Sequence, residues 1–351
     1  MYRIKVAERW VGKGEPCFII AEAGVNHNGK LALAKKLIDV AKNAGADAVK
    51  FQTFHAEDLV TESAEKAGYQ KVTTGKAESQ FEMLKKLELS ESDFKELFVH
   101  AQKKGVIFLS TPFDEVSADF VAELGVPAMK IPSGEITNFP LLRHIARKRK
   151  PIILSTGMSI IEEIGEALDV IKAEGVKDTI LLHCVSAYPA KIEDMNLRAM
   201  ATLRKTFKLP VGLSDHSLGI TVPITAVALG ACVIEKHFTL DKTLPGPDHR
   251  ASLEPDELKD MIKSIRDVEK ALGSGIKKPT REEEENRKAG RRSIVARVAI
   301  PRGTVITEAM LDIKRPGTGI EPKYLDEVIG LKVKAHTKKD EVLTWEKIGK
   351  K

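Results

Sequence analysis

CFIIAEA (17–23) is a short, almost continuous apolar run, and seven runs of the same kind follow it, separated by amphipathic segments. Runs of this length and composition are typical of strands in a parallel sheet that is buried on both faces. The other seven are DAVKFQT (47–53), VIFLSTP (106–112), AMKIPS (128–133), PIILSTG (151–157), TILLHCVS (179–186), PVGLSD (210–215) and CVIEKHF (232–238). Eight strand–helix units in roughly 250 residues predict an α/β fold of the (β/α)8 TIM-barrel type.

The alternative fold for such alternating elements is a doubly wound parallel sheet. That fold usually carries a glycine-rich phosphate loop after an early strand. The sequence contains neither G-x-G-x-x-G nor G-x-x-x-x-G-K-[ST], so the barrel is favoured.

The domain organisation is predicted from changes in composition along the chain. Residues 1–273 are expected to form the barrel, with 55–89 as an inserted lid or extra helix because this stretch is too long for a simple strand–helix loop. Residues 274–290 are turn-rich and then highly charged, which predicts a linker. Residues 291–351 hold short apolar runs between glycine turns and are expected to form a small β-rich domain, in which Thr307 caps a short helix, EAMLDI.

Composition excludes several classes of function. The 351 residues carry a net charge of +6 with both signs interspersed, unlike the clustered basic face of a nucleic-acid binder. No run approaches the roughly 18 apolar residues of a membrane span, and the N-terminus lacks the apolar stretch of a signal peptide. Three cysteines without metal-type spacing indicate reduced thiols. A cytoplasmic protein with no nucleic-acid or membrane partner is therefore predicted.

Polar side chains stand at the end of nearly every predicted strand. In a (β/α)8 barrel these ends meet at one mouth, where active sites lie. In chain order they are Glu22; Lys50 and Gln52; Ser110 and Thr111; Lys130 and Ser133; Ser155 and Thr156; His183 and Ser186; Ser214, Asp215 and His216; and Glu235, Lys236 and His237. Contact with solvent explains one or two polar ends but poorly explains so many converging together, so an active site is predicted there.

Two lysines, Lys50 and Lys130, lie inside apolar strands. A buried lysine costs several kcal/mol unless it meets an anion. With Ser133, Ser155 and Ser214, the two lysines predict a cradle for phosphate and carboxylate groups. Two alternatives stay open: a lysine that extends outward between helices, and a lysine that forms a Schiff base, as in aldolases of this fold.

His216 and His237 close neighbouring predicted strands, which lie about 4.8 Å apart in a sheet. A histidine taken singly is more often a hydrogen-bonded core residue than a ligand. The paired placement favours a metal site, because two neutral imidazoles in oxygen-rich surroundings suit Mn²⁺ or another divalent ion that acts as a Lewis acid. Asp215 is a candidate for orienting His216. Glu22 is a candidate for binding hydroxyl groups or moving a proton, and a rigid Pro-Gly-Pro loop is expected to hold Asp248 over the mouth.

Nine stretches of the sequence together resemble the sialic acid synthase family, which includes synthases of N-acetylneuraminate, legionaminate and pseudaminate. The stretches are AEAGVNHNG, AVKFQTF, FLSTPFD, KIPSGEITN, ILSTGM, HCVSAYPA, GLSDHSLG, VALGACVIEKHFTLD and PGPDHRASLEPDEL. They cover almost the whole predicted barrel. The C-terminal region, with LDIKRPGTGI, resembles the antifreeze-like (SAF) domain that accompanies this barrel in the family.

The resemblance implies a role for each candidate residue. Positions that hold phosphoenolpyruvate in the family are matched by Lys50, Thr111, Lys130, Ser133, Ser155 and Ser214. The Mn²⁺ ligands are matched by His216 and His237, and positions around the amino sugar by Glu22, Gln52, Tyr188 and Asp248. Arg315 matches an arginine that the antifreeze-like domain of a partner subunit inserts into the site. Ser186 stands where some members have asparagine, which bears on the choice of sugar rather than on the reaction.

The reaction implied by the resemblance is a metal-dependent condensation of phosphoenolpyruvate with an N-acetylated amino sugar. It yields a sialic-acid-type nonulosonate and phosphate, in a homodimer with exchanged C-terminal domains. The acceptor is either N-acetylmannosamine or a 2,4-diacetamido-2,4,6-trideoxymannose, which the sequence does not distinguish. The alternatives are a pyruvate-dependent Schiff-base aldolase with Lys130 as nucleophile, and a carbohydrate- or ice-binding protein that acts through its C-terminal domain.

Overall fold

A computed structural model describes residues 2–75 and 77–349. The chain divides into two units, Met1–Gly273 and Ser274–Lys351. The strands are β1 Arg3–Val6, β2 Arg9–Gly12, β3 Phe18–Gly24, β4 Ala48–Thr53, β5 Ile107–Pro112, β6 Met129–Ile131, β7 Ile152–Ser155, β8 Thr179–Cys184, β9 Val211–Asp215, β10 Val233–His237, β11 Ser293–Ala296 and β12 Leu311–Lys314. The helices are α1 Leu31–Ala44, α2 Ala56–Leu59, α3 Gly68–Thr74, α4 Gln80–Lys85, α5 Glu91–Lys104, α6 Glu115–Leu124, α7 Phe139–Ala146, α8 Ile161–Ala173, α9 Ala199–Phe207, α10 Thr221–Ala228, α11 Pro255–Leu272, α12 Arg281–Gly290 and α13 Leu325–Val328.

Strands β3 to β10 form one parallel sheet in the order β5-β4-β3-β10-β9-β8-β7-β6. Because β5 and β6 also lie side by side, the sheet comes round to a nearly closed barrel. Each of the eight runs that were predicted as strands overlaps one of these eight, and only β3 extends beyond its run, by one residue. The predicted (β/α)8 barrel is therefore confirmed.

Side chains alternate between the inside and the outside of the barrel along each strand. In β3, Phe18 and Ile20 belong to the apolar cluster inside the barrel, to which the hairpin β1–β2 also contributes. Ile19 and Ala21 instead pack in the larger cluster that the strands share with the helices. The next inward position on β3 is Glu22, so the alternation that fills the floor of the barrel also brings this carboxylate into its mouth.

Glycines and capping side chains end and begin the helices that return the chain to the barrel floor. Ser90 accepts a hydrogen bond from the N–H of Asp93 at 3.2 Å, and the Asp93 carboxylate accepts one from the N–H of Ser90 at 3.1 Å, which caps α5 reciprocally. Helix α5 ends at Gly105, whose left-handed φ of 68° suits glycine. These signals fix where β5 begins and therefore which of its residues reach the mouth.

Residues 55–89, predicted as an insertion, hold the short helices α2, α3 and α4. An apolar cluster anchors this segment, with Met83 and Leu87 packed against Val25 and Phe54 from the ends of the neighbouring strands. The insertion is thus attached to the rim of the barrel next to β3 and β4.

The second unit has its own small core around β11 and β12, which pair antiparallel with Ile294 opposite Ile313. Residues 274–290, predicted as a linker, contain α12, none of whose described residues is buried. One expectation needs correction in this unit. The predicted helix EAMLDI is wrong beyond a single turn at Glu308–Met310, because Leu311 is buried in this core and begins β12. In the described part of the chain, no helix is long and apolar enough to cross a membrane.

Candidate active site

The mouth of the barrel contains a buried network of charges centred on Lys50 of β4. The ammonium of Lys50 lies 2.9 Å from Glu22 Oε2 and 3.7 Å from Glu235 Oε2, and it donates to Thr111 Oγ1 at 2.7 Å. Burial raises the pKa of Glu22 to about 7, although the charge of Lys50 opposes this shift. Burial lowers the pKa of Lys50, but the charges of Glu22 and Glu235 outweigh it, so Lys50 is held protonated. Gln52 donates weakly to Glu22 at 3.5 Å.

Lys130 of β6 extends this network across the barrel. Its ammonium donates to Ser155 Oγ at 2.7 Å and lies 3.7 Å from Glu235 Oε1. Glu235 also accepts a hydrogen bond from Ser214 at 2.9 Å. Burial lowers the pKa of Lys130, whereas Lys130 and Lys50 together hold the pKa of Glu235 below its usual range despite burial. The two lysines therefore face two carboxylates, Glu22 and Glu235.

Glu235 was predicted only as one of the polar strand ends, but in the structure it lies between both lysines. The signal was present in VIEKHF: position 235 shares its face with Val233 on the floor and His237 at the mouth. Alternation alone was therefore sufficient to place this carboxylate inside.

The rings of His216 and His237 lie side by side, with centroids 5.4 Å apart. His216 Nδ1 lies 2.9 Å from the carbonyl oxygen of Val185 and 3.7 Å from Cys184 Sγ. Burial lowers the pKa of His216, but the hydrogen bond with Cys184 and the charge of that residue raise it by more. The pKa of His216 therefore lies above its usual value. Burial holds the pKa of His237 well below its usual range, so this ring is neutral. His237 Nδ1 is buried and has no hydrogen-bond partner among the described residues; Asp248 Oδ2 lies 3.9 Å away.

These two rings fit a divalent metal ion. A neutral imidazole with a buried, unpartnered nitrogen is a ready ligand, and the contact of His216 with Val185 fixes the orientation of the second ring. A second cluster, His55, Asp58 and Asp114, also holds three ligand atoms within 4.8 Å of one another. There the Asp114 carboxylate already accepts hydrogen bonds from the N–H and hydroxyl of Ser117 at the start of α6.

Two of the predicted serines meet around Gly157, in the loop after β7. Ser133 Oγ accepts a hydrogen bond from the Gly157 N–H at 2.8 Å. A Cβ at Gly157 would collide with the hydroxyls of Ser133 and Ser186, so only glycine allows the two to approach. Cys184 lies 3.8 Å from Ser186, which connects this group to His216. The structure thus brings Ser133, after the fourth barrel strand, and Ser186, after the sixth, together.

Aromatic rings border the histidines on one side. The ring of Tyr188 lies 4.1 Å from that of His216 and meets His237 edge-on at 5.9 Å. Tyr69 of α3 stacks on the other side of this group, 5.0 Å from Tyr188. Tyr69 is not among the residues predicted from the sequence, because no local pattern shows which ring an insertion places beside the mouth of a barrel.

The loop that carries Asp248 is hydrogen-bonded to the loop that follows β3. His249 Nδ1 lies 2.6 Å from Thr239 Oγ1, and its Nε2 lies 3.1 Å from Asn28 Oδ1. The carbonyl oxygen of Asp248 accepts from Ser252 at 2.7 Å. Burial raises the pKa of Asp248 to about 6. These contacts hold the carboxylate beside the two histidines.

Not every polar strand end faces the mouth. Asp215 and Lys236 occupy outward positions, where they form an ion pair of 2.6 Å between the barrel and its helices. His183 also points outward and lies 2.8 Å from the carbonyl oxygen of Met195. The expectation that the polar ends converge is corrected for Asp215 and Lys236, because a period of two sends neighbours to opposite faces, whereas the contact of His183 is that of a hydrogen-bonded core histidine. Arg315 belongs to the second unit, where it is exposed after β12, and its predicted role stays a prediction.

Barrels of this type carry their catalytic groups at the carboxyl ends of the strands, and the buried charges found there place this chain among the barrel enzymes. Comparison with known proteins identifies the family: the chain belongs to the NeuB family, whose model matches residues 37–277. Residues 291–349 match the SAF domain.

Several relatives share most of the chain. An N,N'-diacetyllegionaminic acid synthase of Legionella pneumophila is 52% identical over 341 residues, which cover 96% of each chain. A synthase of the same name from Campylobacter jejuni is 52% identical over 93% of this chain and 98% of its own. The crystal structure of N-acetylneuraminic acid synthetase from Leptospira borgpetersenii, in complex with citrate, is 38% identical and matches with a TM-score of 0.73 over 81% of this chain and 95% of its own. The predicted family and fold class are confirmed, and the chain is an enzyme of the sialic-acid-type synthases.

Proposed function

We propose that the chain condenses phosphoenolpyruvate with an N-acetylated amino sugar to give a sialic-acid-type nonulosonate and inorganic phosphate. The observation that carries this proposal is the pair of buried lysines in the barrel mouth. Lys50 and Lys130 are only 3% and 2% exposed, and each lies beside Glu235 and a hydroxyl group. Ammonium groups buried in this way suit a substrate with both a phosphate and a carboxylate.

Glu22 supports the proposal through its pKa of about 7. Near neutral pH this carboxyl group takes both protonation states. In the deprotonated state it pairs with Lys50, and in the protonated state it releases Lys50 to an incoming anion. The same group is placed to carry a proton at the mouth during the reaction.

His216 and His237 are the residues that would hold the divalent metal ion, with Mn²⁺ as the proposed ion. When bound, such an ion supplies Lewis-acid polarisation of the sugar aldehyde. Tyr188 and Asp248 border the two rings, which suits them to position the hydroxyl and acetamido groups of the sugar.

Phosphate release tests the proposal directly. The purified protein is incubated with phosphoenolpyruvate and an N-acetylated amino sugar, with Mn²⁺ or with excess chelator. The released phosphate is measured, and the mass of the product is determined by mass spectrometry. We expect phosphate and a nine-carbon sugar acid only when sugar and metal are both present. Lys50→Met should abolish release, whereas Lys270→Met, at an exposed position on α11, should leave it intact. Release that does not depend on the sugar would contradict the condensation.

The Schiff-base aldolase is the second candidate, because burial lowers the pKa of Lys130 and a lysine with a low pKa is the nucleophile that such an enzyme needs. The contacts of Lys130 with Ser155 and Glu235 favour instead an electrostatic role. Borohydride added with pyruvate should therefore leave the mass of the protein unchanged. A trapped adduct on Lys130 would support the aldolase.

For the acceptor, we propose 2,4-diacetamido-2,4,6-trideoxymannose ahead of N-acetylmannosamine. The support is the identity of 52% to two synthases named for N,N'-diacetyllegionaminic acid. A panel of both sugars tests this choice through the ratio of their kcat/KM values. The homodimer with exchanged C-terminal domains and the cytoplasmic location remain predictions from the sequence.

A further inference from the structure

Tyr69 extends the aromatic border of the active site beyond the barrel itself. It lies in α3, within the insertion, and its ring stacks on that of Tyr188 at an interplanar angle of 27°. Tyr188 in turn lies against His216. The three rings form a continuous column that begins at the two histidines and leads outward to the insertion.

The position of Tyr69 is fixed rather than incidental. Buried Gln70, its neighbour, accepts hydrogen bonds from the Ala67 N–H at 2.9 Å and from Gln80 at 3.3 Å, which ties the start of α3 to α4. The Tyr69 side chain is partly buried, and burial together with the negative charge of Asp248 raises the pKa of its phenol well above the usual value. A neutral phenol therefore stands near Asp248, on the same side of the mouth as Tyr188.

We infer that Tyr69 is a specificity-determining residue for the acceptor sugar. This inference rests on the proposed function, in which the sugar aldehyde lies at His216 and His237. A sugar chain that starts there and follows the ring column reaches Tyr69 with its far carbons. Aromatic faces pack well against methyl and C–H groups and poorly against extra hydroxyls. The column therefore suits an acceptor whose far end carries a second acetamido group and a deoxy carbon.

The test compares two acceptors in wild type, Tyr69→Leu and Tyr69→Phe. We expect Tyr69→Leu to lower kcat/KM for the diacetamido-trideoxy sugar by about tenfold or more, the size of effect that lost apolar contacts produce, with little change for N-acetylmannosamine or in the KM of phosphoenolpyruvate. Tyr69→Phe keeps the ring and should keep the preference. Val72→Ala, at an exposed position on the same helix, is the matched control and should behave as wild type.

Calorimetric binding of each sugar to the Mn²⁺-loaded protein, without phosphoenolpyruvate, separates this inference from the proposed reaction. If the wild type releases no phosphate but its sugar affinities change selectively in Tyr69→Leu, the reaction is wrong and the role of Tyr69 stands. If wild type is active and Tyr69→Leu lowers the affinity for both sugars equally, or leaves both affinities unchanged, the role of Tyr69 is overturned. Should Tyr69→Leu fail to fold, a loss of preference in Tyr69→Phe overturns the apolar contact and a retained preference supports it.

Discussion

Single residues in the barrel mouth are paired before any substrate binds. Lys50 has Glu22 and Glu235 as partners, and Lys130 shares Glu235. A substrate anion must therefore compete with a carboxylate that is already in place, which costs binding free energy but keeps two buried ammonium groups stable in the free enzyme. Glu22, with its pKa of about 7, is the partner that gives way most readily.

At the same scale, the histidine pair predicts where metal binds. His237→Ala removes a neutral ring with a buried, unpartnered nitrogen, so we expect the Kd for Mn²⁺ to rise by at least about tenfold. The measurement is a calorimetric titration of the metal-stripped protein, with circular dichroism to confirm the fold.

The second cluster supplies the control for this prediction. His55→Ala removes a ligand from the group of His55, Asp58 and Asp114 and should leave tight Mn²⁺ binding unchanged. Equal loss of affinity in both variants would contradict the assignment to the barrel mouth.

His27 predicts a pH dependence of stability. This buried residue has its pKa lowered to about 4 by burial and by the charge of His249. In the unfolded chain, His27 takes up a proton as the pH falls below the usual pKa of about 6.5, whereas in the folded chain it stays neutral until the pH reaches about 4. The stabilisation is therefore complete above pH 6.5 and is lost as the pH falls toward 4. The loss amounts to about 3 kcal/mol. Thermal melting of wild type from pH 7 to pH 4 should show this fall.

A variant isolates the contribution of this ring. In His27→Gln the fall in Tm between pH 6.5 and pH 4 should be smaller than in wild type, while His336→Gln, at an exposed position in the second unit, should not alter it. Identical pH profiles for His27→Gln and wild type would show that other groups dominate acid unfolding.

At the scale of elements, an ion pair braces the ends of β9 and β10. Asp215 and Lys236 are both fully buried outside the barrel, and each precedes one of the two histidines. Lys236 also donates to the carbonyl oxygen of Ser217. The pair therefore holds the backbone on either side of His216 and next to His237, without entering the mouth.

Replacing one residue of this ion pair should destabilise the protein more than replacing both. Asp215→Leu leaves a buried, unpaired ammonium and is expected to cost about 3–5 kcal/mol, while the double variant with Lys236→Met should recover most of that loss. Chemical denaturation measures both. A double variant as unstable as Asp215→Leu would mean that the pair does more than balance its own charges.

Much of the element order was predictable because parallel strands buried on both faces give apolar runs of distinct length. VIFLSTP and TILLHCVS contain β5 and β8 with the ends displaced by one or two residues. The facing of side chains was missed where alternation was not applied: Lys236 was grouped with His237, although a period of two places them on opposite faces. Contacts across the chain, such as Tyr69 on Tyr188, leave no local pattern and became visible only in the structure.

At the scale of the whole molecule, the two units differ in where their charged groups lie. The barrel contains its own buried ionic site, whereas the SAF-domain unit has a small apolar core and an exposed Arg315. From sequence alone, an arginine in a Pro-Gly turn is most simply a solvated residue. The resemblance to the family implies instead that it acts in the site of a partner subunit, and we propose that role because a guanidinium offers planar, paired donors to a sugar.

Subunit complementation distinguishes these two roles. One variant is disabled in the barrel by Glu22→Ala, and the other lacks the arginine through Arg315→Ala; each alone should be inactive. Mixed under conditions of subunit exchange, heterodimers pair an intact barrel with an intact arginine at one of their two sites. Because random pairing makes half of the dimers mixed, about a quarter of wild-type sites should return. If Arg315 serves its own chain, every site keeps a lesion and no activity returns despite exchange, and if it serves no site, Arg315→Ala alone is already fully active.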